Sequence, residues 1–325
     1  MKRLILFGKV LFVIASVVLM VYPVLGYQLQ EELPYIPGIE ERPGTHSVHG
    51  LALSPDEQRL YAAHWQSGTV QVNDPIGVYS TDNHNLIEKL GVGGCVGGVI
   101  VSDDGCCVYG TRYYGGEVHS FDVCNENTEA ILELDHGWAH MLWKSPDGTR
   151  AIVAYNSSSP FSAHHLALLD ISGDNCSMSI MDTLNLGRPG SDRSVAFLPD
   201  GSMMYTTVGS SSTEGVVLLE VSLNGSIAVN RSSAVLAGGP SQEHLMAGVV
   251  LVGDTLYVGD EYNMKIHMLD RLSLIKTGEI DLSPHSPRNI ALHPDGQHLF
   301  ILSGTDCGRI SVFDLQTQTD ITQIN

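Results

Sequence analysis

One short pattern recurs along this chain of 325 residues: an apolar run, a turn built on Asp, then a second apolar run. It stands first as Gly50-Leu51-Ala52-Leu53-Ser54-Pro55-Asp56, followed by Leu60-Tyr61-Ala62-Ala63. Copies lie at Val99–Gly105, Met141–Gly148, Val195–Gly201 and Ile290–Gly296, with a worn one at Val249–Asp254. The spacing is roughly the 40–50 residues of a propeller blade. One such unit cannot bury both faces of its sheet, so the units must stack on one another.

Between the copies, short runs of Val, Ile, Leu and Tyr are bounded by Gly, Pro, Asp and Ser, and no helical period is sustained. Each repeat therefore reads as four antiparallel strands, a to d. In the first, strand c is expected at Thr69–Asn73, with a loop from Asp74 to Asn83 before strand d. The expected fold is all-β: a single β-propeller of four-stranded blades over residues 45–325, with six recognisable modules. Residues 27–44 read as a strand (Leu29–Ile36) and a linker; a seventh blade would require a degenerate copy there.

Residues 1–26 have Lys2 and Arg3, an apolar run from Val10 to Val21 and small or modest residues at Val24-Leu25-Gly26. That is the pattern of a secretory signal peptide cut before Tyr27. Lys9 and Pro23 leave the apolar run short for a membrane span. The expected location is extracellular, with no membrane association after cleavage; an uncut leader would tether the chain. A net charge of −19 repels nucleic acid, which is excluded as a partner. The expected partner is a small molecule or an extracellular protein, and the expected state is a monomer.

Six cysteines in a secreted chain permit disulfides. Cys106 and Cys107 are neighbours on one strand and face opposite ways, so they are not expected to pair with each other. A bridge from Cys124 to one of them fits adjacent strands b and c. Four Asn-x-Ser sequons, at Asn156, Asn175, Asn224 and Asn230, make a glycoprotein the expectation in a secretory route.

The Pro-Asp-Gly turns, the Leu-Tyr-Ala and Leu-Tyr-Val runs of strand b and Ile310-Ser311-Val312-Phe313-Asp314 in strand c resemble YVTN-type repeats. The resemblance is to lactonase-like propellers, commonly seven-bladed, and covers roughly residues 45–325. It implies a propeller, and ester or lactone hydrolysis as the default reaction if the chain is an enzyme. This repeat also serves non-enzymes.

Aligning the repeats exposes one variable column, seven residues ahead of the turn aspartate: His49, Gly97, His140, Arg193 and Arg288, with Ala247 in the worn copy. In a propeller this column sits near the channel mouth, so an acidic chain would carry a basic ring there. The same d–a connections hold His46, His136, His244 and His285. The b–c connections add His64, Trp65, Arg112, Tyr113, Tyr114, Asp260 and Glu261. Together they suggest a funnel with aromatic walls, a few cations and one acidic corner, suited to a small anionic or carbonyl-bearing ligand. In the enzyme case His49, His140 and His244 are the acid or base candidates, and Arg193 and Arg288 hold an anion; a lactonase-like hydrolase and a metal-free isomerase or cyclase are both open. The bland alternatives are inter-blade ties for the histidines and a solvated loop for Asp260-Glu261. His164-His165 reads as an exposed strand start. HExxH, CxxC, Gly-x-Ser-x-Gly and P-loop patterns are absent, so no metal and no cofactor are expected; the alternative is a metal held by imidazoles, from His46 and His49 or from His136 and His140. An adhesion or envelope protein is the remaining class.

Overall fold

Runs of five to eight apolar and β-branched residues between turn formers are too short for helices, and they pair with their chain neighbours as hairpins. The computed structural model describes residues 46–66, 75–125, 128–135, 137–156, 164–187, 194–209, 216–236, 248–303 and 310–324. The predicted leader and the Leu29–Ile36 strand lie outside the described residues. Those described form six four-stranded antiparallel sheets, each a simple meander. No described helix is long and apolar enough to cross a membrane.

Blade 1 is β1 (His46–Leu53), β2 (Arg59–Gln66), β3 (Pro75–Ser80) and β4 (Leu86–Gly91). Blade 2 is β5 (Val96–Val101), β6 (Cys107–Arg112), β7 (Glu117–Asp122) and β8 (Thr128–Glu133). Blade 3 is β9 (Trp138–Lys144), β10 (Arg150–Asn156), β11 (His164–Asp170) and β12 (Ser179–Asn185). These three belong to one compact unit, Pro34–Gly187 with Gly225–Ile227. The second unit, which includes Arg188–Asn224 and Ala228–Asn325, holds the other three blades. Blade 4 is β13 (Ala196–Phe197), β14 (Met203–Gly209), β15 (Val216–Ser222) and β16 (Ala228–Ser232). Blade 5 is β17 (Val249–Val252), β18 (Thr255–Asp260), β19 (Lys265–Asp270) and β20 (Lys276–Asp281). Blade 6 is β21 (Pro287–Leu292), β22 (His298–Ser303), β23 (Ile310–Asp314) and β24 (Thr319–Ile324).

All six expected repeats appear as sheets; strand a starts three or four residues before its repeat in blades 1, 2, 3 and 6, β16 stops at Ser232, and one strand is misplaced. Strand c of blade 1 is Pro75–Ser80, inside the expected loop, and residues 67–74 lie outside the description. In sequence the alternation at Val70-Gln71-Val72 competed with the run from Ile76, where Ile76, Val78 and Tyr79 are buried. Pro75 opens the strand, where a missing N–H is tolerated.

Burial falls from the inner strands of a blade to its outermost strand. Every residue of β5 is buried, whereas every residue of β16 is exposed. The cores lie between blades. Tyr61, Ile76 and Val78 of blade 1 pack with Val96, Val108 and Phe121 of blade 2. Tyr109 and Val118 of blade 2 pack with Leu142, Val153 and Leu169 of blade 3. In the second unit, Tyr205 and Leu218 meet Val249 and Val258, and Tyr257 and Ile266 meet Ile290 and Ile301. Each sheet thus buries its faces only against a neighbour, as the repeat pattern requires.

The a–b turns need one residue at positive φ. Gly105, Gly148, Gly201, Gly253 and Gly296 supply it, but in blade 1 the place is held by Glu57 at φ 60°. A left-handed conformation costs a residue with a Cβ about 1–2 kcal/mol. Glu57→Gly is therefore expected to raise the unfolding free energy by about 1 kcal/mol, read by chemical denaturation.

Two disulfides join described residues: Cys106–Cys124 within blade 2, and Cys107–Cys176 from blade 2 to the connection before β12 of blade 3. The neighbours do face opposite ways, one bridge staying in its blade and the other leaving it. Such bridges are compatible with an extracellular protein.

Candidate functional site

The variable column has a structural basis. At His49, at His140 and at Arg288 the a–b register slips by one residue, and in each case the column residue is the extra one on strand a. In blade 2 the slip falls between Val96 and Val99, the site of Gly97. A β-bulge leaves one residue unpaired, bends the strand and re-aims that side chain. In these four blades the column falls at a break in the a–b register, where side-chain identity is less tied to the sheet. Arg193, His244 and His136 lie outside the described residues, as does the side chain of Trp65, whose backbone is in β2.

The fullest site sits on blades 2 and 3. The His140 backbone is held by Thr111, whose hydroxyl donates to the His140 carbonyl at 2.9 Å and accepts the Gly98 N–H at 2.8 Å. The His140 side chain is buried, and its Nε2 lies 2.7 Å from Asn156 Nδ2 at the end of β10. The same Nδ2 is 3.5 Å from Nε2 of His164, which opens β11 and stacks on His140 at 5.3 Å between ring centroids. In this arrangement the amide donates to two neutral imidazoles; turned over, it would offer Oδ1 to a ring N–H. Asn156 can therefore partner His140 in either protonation state.

Above this trio lie three aromatic rings. Tyr113 meets His140 edge-on at 4.7 Å, Tyr114 edge-on at 4.9 Å and Trp138 at 5.8 Å. Tyr114 and Trp138 are 5.2 Å apart, edge to face. Tyr114 is exposed, so the cluster grades from a wet aromatic rim to buried imidazoles. Burial, with the nearby Cys95 adding to it, pushes the Tyr114 hydroxyl up, keeping it neutral at ordinary pH. The arrangement can stack an apolar face and offer nitrogen donors or acceptors to a carbonyl.

Other expected residues have different tasks. Arg112 gives both its contacts to Glu117, at 3.0 and 3.1 Å, so its charge is matched within blade 2. His119 also reaches Glu117, at 3.0 Å. Burial pushes the Glu117 carboxyl up, but Arg112 and His119 outweigh it and hold it below the usual carboxylate range. His64 lies 3.2 Å from the Tyr79 hydroxyl, which burial pushes up to about 12. His49 is half-buried at its bulge.

In the second unit Arg288 is exposed, while His285 and Glu261 are half-buried. Asp260 is fully buried and closes its own turn: Oδ1 accepts the Asn263 N–H at 2.9 Å, and Oδ2 accepts Asn263 Nδ2 at 2.8 Å. His267 lies 3.0 Å from the same Oδ2. Burial raises the Asp260 carboxyl, yet these hydrogen bonds outweigh it and hold it low. The expected acidic corner is thus an Asx-type turn. A sequence signal for it existed, since Asp122 and Asn125 repeat the same Asp-x-x-Asn bonds at 2.9 Å.

Two further corrections concern blade 3. His164 is not an exposed strand start; it is buried against His140. Asn156 is fully buried with its amide nitrogen engaged, so the folded chain offers no acceptor at that sequon. Asn175, Asn224 and Asn230 are exposed. Trp138 escaped the sequence reading. Its signal was Trp-x-His at a strand start, two residues ahead of the column.

Repeated four-stranded meanders with inter-blade cores define a β-propeller. The sequence profile described as Lactonase, 7-bladed beta-propeller matches residues 23–323, and the chain belongs to that family. The six sheets counted above are those of the described residues, beside the seven of the family's description. No curated protein sequence matches the chain. Among solved structures the fold is common, with 1562 chains similar. One is the hydrazine synthase of Kuenenia stuttgartiensis, with 14% identity, a TM-score of 0.59, and coverage of 86% of this chain and 99% of that one. At that identity the likeness speaks for the fold alone.

Proposed function

We propose that this chain is a secreted propeller that binds a small carbonyl-bearing molecule over blade 2 and blade 3. The observation that carries this reading is the His140–Asn156–His164 trio beneath Tyr113, Tyr114 and Trp138. The ligand's apolar face stacks on the exposed aromatic rim, and its carbonyl meets the imidazoles.

Family membership favours a second reading, in which the ligand is a cyclic ester and is hydrolysed. His140 would take a proton from water as the water's oxygen bonds to the ester carbon. The ring C–O bond then breaks, and the proton passes to the departing alkoxide, leaving the hydroxy acid. An amide partner that accepts either form of His140 suits a group cycling between base and acid.

A panel of five- and six-membered lactones separates the two readings, with binding followed by calorimetry and acid release by pH-stat. His140→Gln keeps a side-chain amide beside Asn156 but removes the imidazole. It is expected to cut turnover at least about 100-fold. Tyr114→Ala, at the exposed rim, is expected to weaken binding by about 10-fold with a nearly unchanged Tm. Binding without acid release supports the first reading alone. Wild-type affinity and turnover in both variants would refute both.

A further inference from the structure

The a–b turns hold their aspartates by a recurring set of contacts. Ser54, Ser102 and Ser145 donate their hydroxyls to Oδ1 of Asp56, Asp104 and Asp147, at 2.6, 2.5 and 2.5 Å. The backbone N–H two residues beyond each aspartate reaches the same oxygen, from Gln58, Cys106 and Thr149 at 3.1, 2.9 and 3.2 Å. Blade 6 keeps the second contact, Gln297 N–H to Asp295 Oδ1 at 2.8 Å, and this closes the turn.

The first contact is replaced. His293 stands where those serines stand, and His298 stands where blades 1 and 3 have Arg59 and Arg150. Both imidazoles turn Nδ1 toward the other carboxylate oxygen, Oδ2, at 3.0 and 2.6 Å. His293 is buried, and its Nδ1 is also 3.2 Å from the Asp295 backbone N–H, which requires a lone pair on that nitrogen. A nitrogen lone pair facing a carboxylate oxygen is repulsive unless a proton or a metal ion lies between them. The three donor atoms lie within 4.8 Å of one another. Two imidazoles and a carboxylate are a donor set for borderline divalent transition metals, with zinc bonds of about 2.0–2.2 Å.

We propose that His293, Asp295 and His298 form a divalent transition-metal site of the zinc class at the a–b turn of blade 6. The site uses no residue of the His140 cluster. Three protein ligands leave a coordination position for water on the partly exposed His298 side.

The test is calorimetric titration of the chelator-treated full-length chain with Zn²⁺, with Co²⁺ absorption reporting the ligand field. The wild type should take up one equivalent of Zn²⁺ at this site. His293→Ser rebuilds the serine–aspartate pair of blades 1 to 3, so the turn has a precedent within the same chain. His298→Gln alters a side chain that is 20% exposed and answers the question even if the first variant disturbs the turn. Each should lower the affinity at least about 100-fold, more than loss of an outer-shell partner costs. In chelator, His298→Gln should melt with the wild type. No Zn²⁺ uptake by the wild type, or wild-type affinity in either folded variant, overturns the proposal.

Discussion

Replacing Cys107 and Cys176 together by alanine is expected to lower the unfolding free energy by about 4 kcal/mol. The bridge closes a loop with a sequence separation of 69, and the chain-entropy relation gives that magnitude at room temperature. It also ties β6 of blade 2 to the connector of blade 3, so its loss leaves the two blades joined by their shared core and the Thr111–His140 hydrogen bond. The Cys106–Cys124 bridge, with a separation of 18 inside one blade, gives about 3 kcal/mol by the same relation. Denaturant unfolding of the two double variants should preserve this order. Equal losses would mean that the longer bridge does not restrain the unfolded chain as argued.

Gly97→Ala is expected to destabilise by roughly 3 kcal/mol, near the upper end for overpacking. An added Cβ would lie 1.8 Å from the His140 carbonyl oxygen and 3.0 Å from Thr111 Oγ1. The obstacle is backbone, which cannot rotate away. Blades 2 and 3 would have to separate where Thr111 holds them together, and the His140 bulge would move with them. Thermal unfolding read beside ligand affinity should show both falling. A Tm within a degree or two of the wild type would show that the inner strands can yield at this point.

Gly97 also shows how far the sequence could be read. Aligning the repeats found the column and the letters in it. It could not show that the column is a bulge, since an extra residue on one strand is visible only against its partner. Nor could it show that blade 2 carries glycine because blade 3 occupies the space of a side chain. The blades themselves were legible because each joins a buried strand to an Asp-centred turn, a local pattern. The one misplaced strand lay where the alternation at Val70 and Val72 competed, in sequence, with the run at Ile76 and Val78.

The candidate site was half legible. His140 and Tyr113 follow from position in the repeat. His164 did not, because its burial comes from residues on two other strands, His140 and Asn156. The same contacts conceal Asn156, whose sequon looks accessible when only the chain is in view. For the cysteines, strand alternation predicts that the neighbours part. It does not supply Cys176 as a partner, because Asn175 and Cys176 both adopt left-handed backbone at φ 55° and 57°.

The most direct test of the central claim follows the imidazole signals of the 14 histidines by NMR while a six-membered lactam is added as an inert lactone analogue. His140→Gln and His164→Gln assign the two signals of interest. The account predicts that these two shift together and saturate with one affinity. It is contradicted if they stay in place while other histidines respond, or if no imidazole responds to an analogue that calorimetry shows to be bound.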